Sequence, residues 1–358
     1  SFEEISRSLG QGHWRTFIRV IAPALMPSIA GGAMLVALYT LSDFGAVSLM
    51  QYETFTWAIY VQFETAFDRH MASALSLILM LIAIGILLLD VQNHSRNHYY
   101  RSSSGVPRDP SIIRLGNWKW PSIAFCSALT ILALFLPLSI LTYWAIRGIS
   151  SGEPVAGLLN ATAGSLYVSV LAAGATLLAA IPVAILAVRF PSWRSSLLER
   201  TTYIGFALPG IVIALALVFF GARYGGVVYQ TLPLLIFAYI ILFLPAAVGS
   251  IRSSLLQISP RLEDAARNLG KGPMQVLYSI TIPIMRPGLL AGGALVFLLT
   301  MKELPATMIL SPIGFDTLAI SIWSTASEAF FAEAAVHALL LVLVSSIPMA
   351  IFILKEQR

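Results

Sequence analysis

Of 358 residues, 58% are hydrophobic and only 11% are charged, against about a quarter charged in a soluble domain. A soluble core of this size cannot hide that much apolar surface, whereas a bilayer can. The net charge of +5 is carried in loops rather than on one face, which argues against a nucleic-acid partner, and the single cysteine, Cys126, excludes an intrachain disulfide and any Cys-based zinc or iron–sulfur pattern.

In chain order, eight stretches are apolar enough to cross a hydrocarbon core, near 27–50, 71–89, 120–146, 161–188, 200–221, 230–250, 287–310 and 334–354. Pro182, Pro209-Gly210 and Pro245 fall inside them, which packed membrane helices tolerate. Between the second and third stretches, residues 92–119 are polar and rich in Ser, Gly and Pro, so they read as a linker between two bundles. The chain thus divides into 1–91, the linker 92–119, and 120–358. Lys and Arg crowd the segments 1–26, 90–119, 189–200, 251–286 and 355–358, while the intervening loops hold only Arg69, Arg147 and Arg223. The basic segments are therefore cytoplasmic, and both ends of the chain lie inside.

The chain repeats itself at an offset of 260 residues. Glu3-Glu4 falls on Glu263-Asp264, Arg7 on Arg267, Gly10 on Gly270, Gly12 on Gly272, Pro23 on Pro283, Gly32 on Gly292 and Asp43 on Glu303. The register holds for forty residues without a gap. Both copies lie in cytoplasmic segments, so the repeat is parallel, related by an axis along the membrane normal. Many secondary transporters carry an inverted repeat instead.

Each copy reads acidic-x-small-x-x-x-Gly, nine residues, then aliphatic-x-aliphatic-Pro: Glu4-Ile5-Ser6 through Gly10 to Pro23, and Asp264-Ala265-Ala266 through Gly270 to Pro283. This resembles the EAA loop of binding-protein-dependent ABC importer permeases. Copy one departs from the family's alanines with Ile5 and Ser6; copy two has Asp where Glu is usual. The resemblance implies an all-α polytopic membrane protein, a type I ABC importer transmembrane domain with two parallel pseudo-twofold-related halves. It implies a short amphipathic coupling helix in each half, closed by a glycine at positive φ and docked on an ATPase subunit. The residues carried over are Glu4, Arg7, Gly10, Asp264, Ala265, Ala266, Arg267 and Gly270, with the loop of the second half spanning 261–286. Its implied partners are two copies of an ABC ATPase, an extracytoplasmic binding protein and the lipid bilayer of a bacterial inner membrane.

No phosphate-binding glycine-lysine motif occurs in the chain; Leu269-Gly270-Lys271-Gly272 lacks both its spacing and its hydroxyl. Hence no cofactor is expected here, and ATP and magnesium belong to the partner ATPase. No nucleophile–base pair stands out either, so the chain reads as a transport subunit rather than an enzyme. His94 and His98 are four apart, but their Ser/Gly/Pro-rich surroundings favour a solvated pair over a metal site. Trp57, Trp118, Trp120, Trp144 and Trp323 sit near span ends, where an interfacial belt places them.

Asp43 and Glu303 occupy equivalent positions within or at the outer end of matched spans, where charge is costly. They are the candidates for the translocation pathway, weighed against local capping at the outer surface. Counting up a continuous helix places Glu303 roughly 24 Å from its start. Residues 301–354 and the stretch Ser42–Tyr60 resemble fused permeases for iron(III) uptake; thiamine and polyamine permeases are near alternatives, and a secondary transporter is a distant one. The first half lacks a counterpart of residues 117–262, so about 145 further residues with four spans are expected upstream.

Overall fold

The computed structural model describes residues 6, 8–10, 12–95, 115–152 and 157–356. Among them no strand occurs, and helices follow one another almost without loops. The first half runs α1 (His13–Thr16), a π turn (Phe17–Ile21), α2 (Ala22–Ser42), α3 (Gly45–Leu49), α4 (Phe55–Tyr60) and α5 (Arg69–Ser95). α5 thus runs into the expected linker through Ser95, and beyond 96–114, which lie outside the described residues, come α6 (Lys119–Thr130) and α7 (Leu136–Ser150), joined through a π turn into one span. The core of the second half is α8 (Leu158–Arg189), α9 (Trp193–Ala207), α10 (Gly210–Tyr224) and α11 (Leu232–Leu256). Then follow α12 (Pro260–Asn268), α13 (Pro273–Val276), a π turn (Leu277–Thr281), α14 (Ile282–Ile284), α15 (Arg286–Met301), α16 (Pro305–Leu310), α17 (Leu318–Ser327) and α18 (Phe331–Glu356).

Five of these helices are long and apolar enough to cross a membrane, and eight spans result if each of three bent pairs counts as one. The bends correct the expectation of straight spans. Trp193–Gly205 and Gly210–Tyr224 meet at 102°, and Pro273–Ile284 and Arg286–Met301 at 71°. Pro182 and Pro245 lie inside unbroken helices, but Pro209 sits at a break. Leu208 before it is extended (ψ 132°), as a residue preceding proline prefers. The spans expected at 27–50 and 287–310 are also interrupted. α2 ends at Asp43 (φ −66°, ψ 132°), and α15 ends at Met301, so Glu303 lies in a break and not on a continuing helix.

The repeat extends beyond the forty residues in which the sequences align. Within the repeat, the matched π turns Phe17–Ile21 and Leu277–Thr281 each end immediately before the X of an X-Pro pair, at Pro23 and Pro283. A proline's missing N–H leaves a carbonyl one turn earlier without its usual donor, and the turn widens. Further on, Thr54 and Thr317 each cap a helix by accepting from a backbone N–H three residues later. Gln51 and Gly314, and then Phe67 and Ala329, are left-handed in both copies.

Packing follows from small residues. α8 buries Ala161, Ser165, Ser169, Ala172, Ala173, Thr176, Ala180 and Ala184 on the face it turns to α11 and α15, which lets backbones approach where lipid offers no hydrophobic drive. α6 buries no residue, and Trp118 and Trp120 are 73% and 74% exposed, as a lipid-facing belt requires. Trp57 and Trp323 depart from that expectation. They join Phe44 and Tyr60 in a cluster with ring centroids 5.2 to 6.3 Å apart, and Trp323 Nε1 donates to Ser48 Oγ at 2.9 Å. Trp144 packs on Phe331 and under Arg147. The cluster is part of the seam between halves, where Phe44, Ile59, Ala72 and Leu79 meet Ile211, Leu215, Leu304 and Ala319.

Candidate functional site: the seam cavity and the two glycine turns

Three helix breaks converge on one cavity of about 610 Å³. Asp43 and Phe44 come from the break after α2, Leu208 and Gly210 from the break before α10, and Lys302, Glu303 and Leu304 from the break before α16. Irregular backbone at membrane depth survives only where protein buries it or where it lines a cavity. The lining is built on the repeat. Tyr39 and Leu299, Ser42 and Lys302, Asp43 and Glu303, Phe44 and Leu304, and Gly45 and Pro305 are equivalent positions, and all ten line it. The cavity therefore sits where the two halves face each other, closed on one side by Ala319, Ile322 and Trp323 of α17.

The two carboxyl groups are brought to the same cavity but differ in surroundings. Glu303 Oε1 accepts from the Ala306 N–H at 3.2 Å, capping α16. It also lies against Gly210, where an added Cβ would come within 2.5 Å of it. The Glu303 carbonyl accepts from Thr307 Oγ1 at 2.6 Å, and Thr307 in turn meets the buried Tyr239 hydroxyl at 2.6 Å. Asp43 uses its backbone: its carbonyl accepts from Thr56 Oγ1 at 2.7 Å. Among the described residues its carboxyl group has no hydrogen-bond partner. Lys302 does not pair with either carboxyl group. Its Nζ lies 3.5 Å from the Tyr39 hydroxyl and 5.2 Å from the centre of that ring, a cation–π geometry that ties α15 to α2. Among the described residues no group of three or more His, Cys, Asp or Glu is arranged to hold a metal ion.

At the two glycine turns, α12 is amphipathic because its periodicity puts Glu263 and Ala266 inward and Asp264, Ala265 and Arg267 outward. Asp264 and Arg267 form an exposed ion pair at 3.0 Å, three residues apart. Gly270 follows with φ +82°, and its counterpart Gly10 has φ +79°. Only glycine takes this conformation without strain. Beside them Leu269 and Leu9 are 84% and 75% exposed. Ser6, where copy one departs from alanine, is as buried as Ala266. Its hydroxyl lies 3.1 Å from Thr16 Oγ1, so the helix pays no penalty for the polar atom. Glu4 and Arg7 lie outside the described residues, as do His98 and the side chain of His94.

Glu263 was not among the residues singled out from the sequence, yet it is the buried carboxylate of the turn. Arg189 Nε and Nη2 donate to its Oε1 at 3.2 and 3.1 Å, and Thr281 Oγ1 donates to the same oxygen at 3.2 Å. The signals in the sequence were its match to Glu3 in the repeat and its place on the inward face of α12.

Residues 1–96 and 175–355 match the family described as binding-protein-dependent transport system inner membrane component. The chain is similar to the Fe(3+)-transport system permease protein FbpB 2 of Haemophilus influenzae, with 39% identity over 359 residues, 99% of this chain and 71% of that protein. It also resembles a chain in the crystal structure of a bacterial alginate ABC transporter in complex with an alginate pentasaccharide-bound periplasmic protein, at a TM-score of 0.51 and 14% identity. That match covers 66% of this chain and 93% of the other, and at such low identity it speaks for the fold alone. With the repeated glycine turns, the bundle of apolar helices and a family match over most of its length, the chain belongs to the inner-membrane permease components of binding-protein-dependent transport systems.

Proposed function

We propose that this permease carries iron(III) across the inner membrane, with the seam cavity as part of its path and the two glycine turns as the docking points for two ATPase subunits. An extracytoplasmic binding protein delivers the cargo, and ATP and magnesium are held by the ATPases. On this reading the turns and both ends of the chain face the cytoplasm, as the Lys and Arg distribution argues. The observation that carries the proposal is the cavity itself, lined by five repeat-matched pairs at the meeting of three helix breaks. Apart from Lys302 and the Trp323 indole N–H, which is taken up by Ser48, its polar side chains are oxygen donors, namely Asp43, Glu303, Ser42 and Tyr39, and hard cations prefer oxygen. The relative from Haemophilus influenzae, named as an Fe(3+) permease, supports the same cargo.

The test is uptake into proteoliposomes holding the permease, its ATPase and its binding protein, with iron(III), thiamine and a polyamine offered in parallel. Iron(III) should accumulate in an ATP-dependent way. Asp43→Asn combined with Glu303→Gln should slow that uptake while leaving permease level and binding-protein-stimulated ATP hydrolysis in place. Uptake of thiamine or polyamine in its stead, or unchanged iron(III) kinetics in the double variant, would reject the cargo and the role of the carboxyl groups respectively.

A further inference from the structure

Arg189 is the last residue of α8, and it reaches two places at once. Its guanidinium donates to Glu263 on α12 at 3.1 and 3.2 Å and to the Ile258 carbonyl at 3.0 Å. Glu263 is also held by Thr281, in the π turn that leads into α15. The Arg189 and Glu263 side chains are 12% and 8% exposed. The other described ion pairs, Arg252–Glu199 and Arg267–Asp264, each have at least one half-exposed partner. A buried ion pair is a poor way to gain stability, because desolvation offsets most of the attraction, and its best-attested use is to fix position.

The far end of α8 is fastened too. Ser165 Oγ accepts from the Leu318 N–H at 2.7 Å, both residues buried. One residue earlier, Gly164 leaves no room for a side chain beside the Asp316 carbonyl. Leu318 begins α17, whose Ala319, Ile322 and Trp323 form a wall of the seam cavity. Between the two joints α8 is a single helix, unbroken at Pro182, and spans roughly 36 Å at 1.5 Å per residue.

We propose that α8 is a rod linking the cytoplasmic turn to the cavity wall, with Arg189 and Glu263 as the positioning residues of its inner joint and Ser165 as that of its outer joint. When α12 moves with a docked ATPase, the buried ion pair carries α8 with it, and Ser165 passes the displacement to α17. Asp264, on the outward face of the same helix, belongs to docking and not to transmission. The inference rests on α12 being the ATPase-docking segment, as proposed above.

The experiment uses the assembled transporter in proteoliposomes, with nitroxide labels on Met50→Cys and Ile313→Cys in a Cys126→Ser background. Both labelled positions are strongly exposed. Three quantities are read: ATPase subunits retained by the permease, the label-to-label distance with and without a non-hydrolysable ATP analogue, and ATP hydrolysed per iron(III) delivered. Glu263→Gln and Ser165→Ala should each retain the ATPase and its hydrolysis, lose the nucleotide-driven change in distance, and use about tenfold more ATP per cargo. The swap Arg189→Glu with Glu263→Arg should recover part of the response, whereas Asp264→Asn should weaken ATPase retention instead. Ser165→Ala removes one hydroxyl from a well-packed helix, so it carries the test if Glu263→Gln does not assemble. An unaltered nucleotide response in Ser165→Ala, or in Glu263→Gln that retains its ATPase, would overturn the rod. The distance readout needs no cargo, so a parent that responds to nucleotide but moves no iron(III) rejects the cargo and not the rod.

Discussion

Gly210 is the place where a single methyl group should report on the cavity. A Cβ there would stand 2.5 Å from Glu303 Oε1, whereas an ordinary carbon–oxygen contact is roughly 3.3 Å or more. The carboxyl group must therefore withdraw by about 0.8 Å, taking that spacing as the limit. Its bond to the Ala306 N–H is already 3.2 Å long, and such a withdrawal breaks it. Ala306 is fully buried, so its N–H loses a partner at a cost of roughly 1–3 kcal/mol. Replacing glycine returns roughly 0.4–1 kcal/mol through the unfolded chain. We expect Gly210→Ala to destabilise the permease by about 1–2 kcal/mol in denaturant unfolding in detergent micelles. In a Glu303→Ala background the clash and the bond are both absent, so the same substitution should be neutral or slightly stabilising. The glycine contribution cancels in a double-mutant cycle, so the coupling between the two sites is then about 1–3 kcal/mol. Effects that add to within about 0.5 kcal/mol would refute the contact.

Two further outcomes follow from local geometry. Gly270→Pro and Gly10→Pro should abolish coupled transport while insertion into the membrane is retained, since proline holds φ near −65° and these residues have φ +82° and +79°. Membrane-fraction blots beside uptake assays check this, and parental uptake in both variants would remove the turns from the mechanism. Thr307→Val should destabilise more than Tyr239→Phe. The first strands the Tyr239 hydroxyl in a fully buried site and costs roughly 1–3 kcal/mol, while the second leaves Thr307 still donating to the Glu303 carbonyl. Equal unfolding midpoints would mean that the two hydroxyls do not depend on each other.

The parts of this molecule that could be read from its sequence are those fixed by the backbone. Gly10 and Gly270 must be glycine to turn left-handed, and Pro23 and Pro283 cannot donate, so the repeat shows through residues that drift has little freedom to replace. The apolar stretches were equally legible because the bilayer demands their length. What could not be read was where they break. Hydrophobic composition runs straight through Asp43, Pro209 and Lys302, and Pro182 and Pro209 are the same residue with opposite outcomes. The break at Pro209 lies beside a neighbour distant in the chain, Glu303 against Gly210, which composition does not reveal. Glu263 was hidden for the same reason. Its neighbour Asp264 fits the motif, but only contact with Arg189, 74 residues away, makes Glu263 the buried member of the pair. Trp57 and Trp323 misled because nearness to a span end does not distinguish a ring facing lipid from one facing the other half.

The contact between Lys302 and Tyr39 has no mirror image. The positions that would repeat it are Ser42 and Leu299, which offer neither a cation nor a ring. In a permease assembled from two copies of one gene product, every such contact would appear twice, and any cation placed on the axis would face its own duplicate. Joining both halves in one polypeptide removes that constraint. One wall can evolve a lysine while the other keeps a serine. Covalent linkage thus lets the seam cavity be lopsided where the repeat around it is symmetric.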